Sequence, residues 1–123
     1  MPHPHPVVHF EILGRDKRLL EEFYKSIFHW EIDPVEDWYS VVKPGAGING
    51  GIGAREGHGG HVVFYVAVEN MAEALQLINS KGGKTAFGPH PIPDGGVIAG
   101  FLDPEGHLIG LVQGLPGMKA PGV

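Results

Sequence analysis

His9 and Glu11 are the two residues of this chain best placed to do chemistry together. They stand two apart in the alternating stretch VVHFEIL. A strand there puts Val7, His9 and Glu11 on one face and Val8, Phe10 and Ile12 on the other. An imidazole titrates nearest neutrality, and a neighbouring carboxylate can orient it for proton transfer. The same pair could equally be hydrogen-bonded structure, and the residues alone leave both readings open. His61 with His9 and Glu11 could form an irregular set of donors for a divalent cation, and His3 and His5 could hold a metal weakly. His3 and His5 lie in PHPHP, where alternating prolines favour a solvated, extended arm. There is no cysteine, so thiolate nucleophiles, cysteine metal sites and disulfides are excluded.

The elements that must position these groups repeat. Val7 to Tyr24 reads as strand, turn and amphipathic helix, and the pattern returns fifty-four residues on, from His61 to Ile78. Asp16 falls on Asn70, both good helix N-caps, and Glu11 falls on Tyr65. Helix one is expected over Lys17 to Phe28, with Leu19, Leu20, Phe23, Tyr24, Ile27 and Phe28 as a core stripe. Helix two is expected over Met71 to Ser80, closed by Gly82-Gly83. Further strands are expected over Trp30 to Ile32, Trp38 to Val42, Ile48 to Ile52, Lys84 to Phe87, Val97 to Leu102 and Leu108 to Gln113. The Pro-Gly turns at Lys43 and Asp103 match at an offset of sixty, so PHPIPDGG holds the extra residues of the second copy. Each copy therefore reads βαβββ: module one about 7–55, module two about 61–114, with tails at 1–6 and 115–123. The linker 53–60, with Arg55, Glu56 and His58, reads as solvated.

This order resembles the vicinal oxygen chelate superfamily of glyoxalase I, extradiol dioxygenases and bleomycin-resistance proteins. HFEI, FYKSIFHW, INGGI and DPEGHLIGLVQ carry the resemblance, which looks nearest to the lactoylglutathione lyase-related branch. It implies an α+β fold, two βαβββ modules in tandem forming a cupped, barrel-like mixed sheet with helices outside. It also implies four inward metal-ligand positions, which fall on His9, Gly50, Val63 and Gly110. Glycine and valine offer no ligand, so the expectation is no metal and no glyoxalase I activity. The alternative is one divalent ion on His9, Glu11 and His61.

The cup is expected to bind a small molecule, lined by Trp38, Tyr39, Ile48, Gly50, Ile52, Val63, Leu108, Gly110 and Val112, with Gly50 and Gly110 opening space. The competing reading is an enzyme using His9, Glu11 and Tyr65. One of Trp38 and Tyr39 is expected to face inward. A homodimer is expected from the resemblance and from the strand edges such a fold must cover. A net charge of −5 argues against nucleic acid and anionic membranes as partners. The start MPHPHPVV lacks the features of a signal peptide, which predicts a cytoplasmic protein.

Overall fold

The computed structural model describes residues 4–54, 60–93 and 95–114. The expectations for Arg55, Glu56 and His58 fall outside them. Ten elements follow in the order β1 (Val7–Gly14), α1 (Lys17–Phe28), β2 (Glu31–Glu36), β3 (Tyr39–Lys43), β4 (Gly50–Ala54), β5 (His61–Ala67), α2 (Met71–Ser80), β6 (Lys84–Pro91), β7 (Val97–Leu102) and β8 (Leu108–Gln113). The α+β class and the repeated βαβββ order are as expected.

Both helices start where the sequence places their caps. Asp16 and Asn70 are extended, and each side chain accepts from the backbone N–H three residues on, at 3.0 Å. That removes one unsatisfied donor per helix, worth about 1 kcal/mol. Helix α1 ends at His29, which adopts the left-handed conformation (φ 58°) while its N–H bonds the Lys25 carbonyl. Helix α2 ends on Gly82 (φ 101°), and the Gly83 N–H returns to the Ile78 carbonyl, the bond expected of a glycine-closed helix.

The chain divides into two units, His9–Val63 and Met1–Val8 with Phe64–Val123. In the first, the strand order is β2-β3-β4-β1, with β1 parallel to β4 and the other pairs antiparallel. In the second it is β5-β8-β7-β6, again with one parallel pair, β5 and β8. Two strands run longer than the sequence suggests: β2 takes in Pro34, and β6 takes in Pro89 and Pro91. Both are the outer strands of their orders, and there a missing N–H costs no ladder bond on the open side.

In the second unit the core is Val68, Met71, Leu75, Ala99 and Leu111, so α2 covers the odd-numbered face of β8. In the first unit the helix side buries Val42, Ile52 and Ser40 completely. Phe10 packs there against Trp30 (ring centroids 5.7 Å), and Trp30 stacks on Tyr24 at 5.4 Å and 8°. The broad core stripe expected of α1 is corrected. Leu20 and Tyr24 are partly buried, but Leu19, Phe23, Ile27 and Phe28 are exposed. A helix lying on one sheet buries only part of its circumference, and six apolar residues span too wide an arc to turn inward together.

Beside Leu20 and Tyr24, α1 also turns polar groups inward. Lys17 Nζ donates to Glu21 Oε2 (2.7 Å) and to Ser40 Oγ (2.9 Å), and Ser40 Oγ donates to the same Glu21 oxygen (2.8 Å). Burial pushes the Glu21 carboxyl up, but the bonds from Lys17 and Ser40 outweigh it and hold it below its ordinary value of 4.5. A carboxyl depressed in the folded state stabilises fully above its unfolded value and loses that contribution as pH falls through its folded value. Glu21→Gln should therefore flatten the loss of stability below about pH 4.5, read as denaturant midpoint against pH.

Candidate functional site

A hydroxyl joins the two residues that the sequence singled out. His9 Nε2 and Tyr39 Oη are 3.0 Å apart, and Tyr39 Oη donates to Glu11 Oε2 at 3.0 Å. His9 Nε2 and the same Glu11 oxygen are 3.6 Å apart, with both side chains about five-sixths buried. With Glu11 ionised, Tyr39 gives it its only proton, so the Tyr39 oxygen accepts from His9 Nε2–H. Nδ1 then carries the imidazole lone pair. Base, hydroxyl and carboxylate form one hydrogen-bonded chain.

The backbone explains how Tyr39 gets there. Tyr39 pairs with Gly53 and Val41 with Gly51, while Glu11 pairs with Gly51 across the parallel ladder. The Tyr39 ring leans along β4 from Gly53 towards Gly51. A Cβ on Gly53 would come within 3.2 Å of ring atom Cδ1. A Cβ on Gly51 would fall on the hydroxyl and its ring carbon. Only glycine leaves room for a flat ring at that point, and the ring delivers its oxygen to the strand position beside Glu11. Trp38 sits at the rim, half-exposed, its ring 5.3 Å from that of Tyr39. Of the two aromatics, Tyr39 is the one directed to His9 and Glu11.

Several expected lining residues stand elsewhere. Gly50 pairs with Phe10, and a Cβ there would meet the Phe10 ring at 2.5 Å, so Gly50 belongs to the helix side. Ile52, fully buried, pairs with Ile12 and shares that side. Ile48 precedes the strand and is exposed. The error is a register slip of one residue, which exchanges the two faces of a strand. In the first unit the position beside Glu11 is Gly51; in the second, Gly110 stands beside Tyr65, the repeat partner of Glu11. The last strands therefore match at an offset of fifty-nine.

In the second unit, Leu108, Gly110 and Val112 alternate with core residue Leu111 and so lie on the face away from α2. Val63 and Tyr65 share a side of β5. Gly110 does not open space: a Cβ there would lie 2.4 Å from the Tyr65 ring. Tyr65, expected as the third catalytic group, covers Gly110, and the hydroxyl seen between His9 and Glu11 is that of Tyr39.

A family model described as the Glyoxalase/Bleomycin resistance protein/Dioxygenase superfamily matches residues 7–111. The chain belongs to this superfamily. A curated relative, the probable chloroplastic lactoylglutathione lyase of Arabidopsis thaliana, is 35% identical over 63 residues, 50% of this chain. That match spans only 17% of the relative's length. Among solved structures, methylmalonyl-CoA epimerase from Mycobacterium tuberculosis superposes with a TM-score of 0.64 at 16% identity, covering 89% of this chain and 88% of the epimerase. A superfamily member from Vibrio splendidus gives 0.66 at 17% identity, covering 90% and 100%. These structures share the fold.

The donor set of this superfamily member fits a metal poorly. Among the described residues no three His, Cys, Asp or Glu side chains come together in a way that could hold an ion. His9, Glu11 and His61 thus do not form the irregular site that their sequence positions suggested. A catalytic zinc-type centre takes three protein ligands and an open position, and His9 with Glu11 supplies two. No helix among the described residues is long and apolar enough to cross a membrane.

Proposed function

We propose that this superfamily member binds a small molecule against the sheet face that carries His9, Tyr39 and Glu11, without the superfamily's metal and not as a glyoxalase I. The hydrogen-bonded chain His9–Tyr39–Glu11, with the Trp38 ring beside that of Tyr39, carries the reading. Convergent polar groups beside aromatic surface are the usual composition of a small-molecule site. The first test is elemental mass spectrometry on protein lacking residues 1–6, beside its His9→Ala variant. The trimming removes His3 and His5, which could carry adventitious metal. The expected result is no stoichiometric divalent metal in either protein. About one equivalent, lost in the variant, would restore the metal-dependent reading.

A second reading has its own support in the same chain. A base linked through a hydroxyl to a carboxylate can move a proton and stabilise the imidazolium that results. On this reading His9 takes a proton from an acidic carbon of the substrate, Glu11 balances the charge, and His9 returns the proton to the product. Such a step needs no metal. Turnover of hemithioacetals or enolisable ketones, lost in His9→Ala, would select this reading over simple sequestration. The curated relative and the epimerase neighbour are enzymes by name, which supports trying these substrates first.

The homodimer belongs here as well. Leu19, Phe23 and Ile27 recur every fourth residue along α1, and all three are exposed. Such a row suits a self-complementary contact around a twofold axis. Light scattering at micromolar concentration should give twice the chain mass for the natural protein and the chain mass for Phe23→Glu. A natural protein that is already monomeric rejects the dimer.

A further inference from the structure

We infer that the Lys17–Glu21–Ser40 ring on the helix side of β3 positions Tyr39, holding its hydroxyl between His9 and Glu11. The inference rests on the proposal that these three residues form a site. Ser40 follows Tyr39 directly, so the two side chains point to opposite faces of β3. Ser40 is 0% exposed, and its hydroxyl both accepts from Lys17 and donates to Glu21. The backbone of β3 is paired on both sides at Tyr39 and Ser40. Its partner strand β2 shifts register between Pro34 and Glu36, and Pro34, opposite Ser40, has no N–H to give. On the other side stand Gly51 and Gly53, over which the Tyr39 ring lies with no Cβ at either position beneath it.

The ring of polar groups adds a side-chain anchor on the opposite face of β3. Lys17 and Glu21 lie one turn apart in α1, which follows β1 after Arg15 and Asp16. It therefore ties the helix that leaves the His9/Glu11 strand to the strand that carries Tyr39. A buried ion pair is poor evidence for added stability, since apolar residues of the same shape do as well, but fixing register is its best-attested use. Lys17, Glu21 and Ser40 are positioning residues on this account, with no contact to a ligand.

The test is the imidazole nitrogen spectrum of the isotope-labelled full chain, with the His9 signals assigned by their loss in His9→Gln. Tyr39→Phe supplies the reference shift of His9 Nε2 when its hydroxyl partner is gone. Ser40→Ala is expected to move that resonance in the same direction. A Ser40→Ala protein with lowered Tm but an unmoved His9 resonance overturns the inference and leaves the site reading standing. Should Ser40→Ala not fold, the double variant Lys17→Met/Glu21→Met is read in its place, a moved signal supporting the inference and an unmoved one overturning it. Failure of Tyr39→Phe itself to move the signal overturns the site reading and this inference together. Ligand is not needed, so an absent ligand would count against the proposed function alone.

Discussion

Gly51→Ala should detach Tyr39 from both His9 and Glu11. The added methyl would fall on the Tyr39 hydroxyl and its ring carbon, and the backbone that carries it is fixed by ladders on both sides. The ring must swing away, because a partly buried side chain moves more easily than a strand paired twice. Overpacking of this kind costs about 1–3 kcal/mol. Loss of the two hydrogen bonds adds to it, the one to a charged carboxylate being the stronger. The expected outcome is a fall in stability of about 2–4 kcal/mol, with the His9 Nε2 resonance shifted as in Tyr39→Phe. Adding Tyr39→Ala should recover part of the loss, since the double variant removes the atom that the methyl strikes. Gly50→Ala is the control, because its methyl meets Phe10 on the opposite face. It should lower stability while leaving the His9–Tyr39 bond in place. If instead Gly50→Ala disturbs His9 and Gly51→Ala does not, β4 does not pair with β1 in the register Glu11 opposite Gly51.

That register marks where the sequence stops being legible. The helices, their caps and the βαβββ order can be read because their signals are local: Asp16 and Asn70 bond three residues ahead, and alternation over seven residues separates His9 and Glu11 from Phe10. INGGI contains no such alternation. Two adjacent glycines give no clue to which one faces His9, and only pairing with β1 decides. Tyr39 was visible as a lining aromatic, yet its role depends on a partner thirty residues away and on two glycines that let the ring lie flat. The signal that could have found it is the spacing itself: a Tyr whose strand partner carries Gly-x-Gly, beside a strand with a carboxylate. Ser40 gave no sign at all. A serine between Tyr39 and Val41 reads as an ordinary strand residue until Lys17 and Glu21 are brought over it. The exposed row of α1 departs from its pattern for the opposite reason. Apolar residues at helical spacing mark a face without saying how much of it the chain covers, and here the chain covers only part.

Lys17→Ala should be the costliest change in the polar ring, and comparison with its apolar replacement separates charge from shape. Removing Lys17 leaves Glu21 mostly buried, with Ser40 as its remaining bonding partner in the ring. Breaking one side of a buried pair costs about 3–5 kcal/mol, and partial solvent access to both groups lowers that here to about 2–4 kcal/mol. For a domain of this size the fall in Tm is on the order of 10 °C. Lys17→Met/Glu21→Met removes both charges and keeps the bulk, so it should lie within about 1 kcal/mol of the natural protein. Ser40 keeps its backbone pairing in either case, losing Lys17 in the single variant and both side-chain partners in the double one. Thermal melts in low salt at pH 7 would read both variants. A double variant as unstable as Lys17→Ala would mean that the ring stabilises the fold directly. A stable double variant with a displaced Tyr39 would mean that its charges are kept for where they hold β3, since stability alone could be had without them.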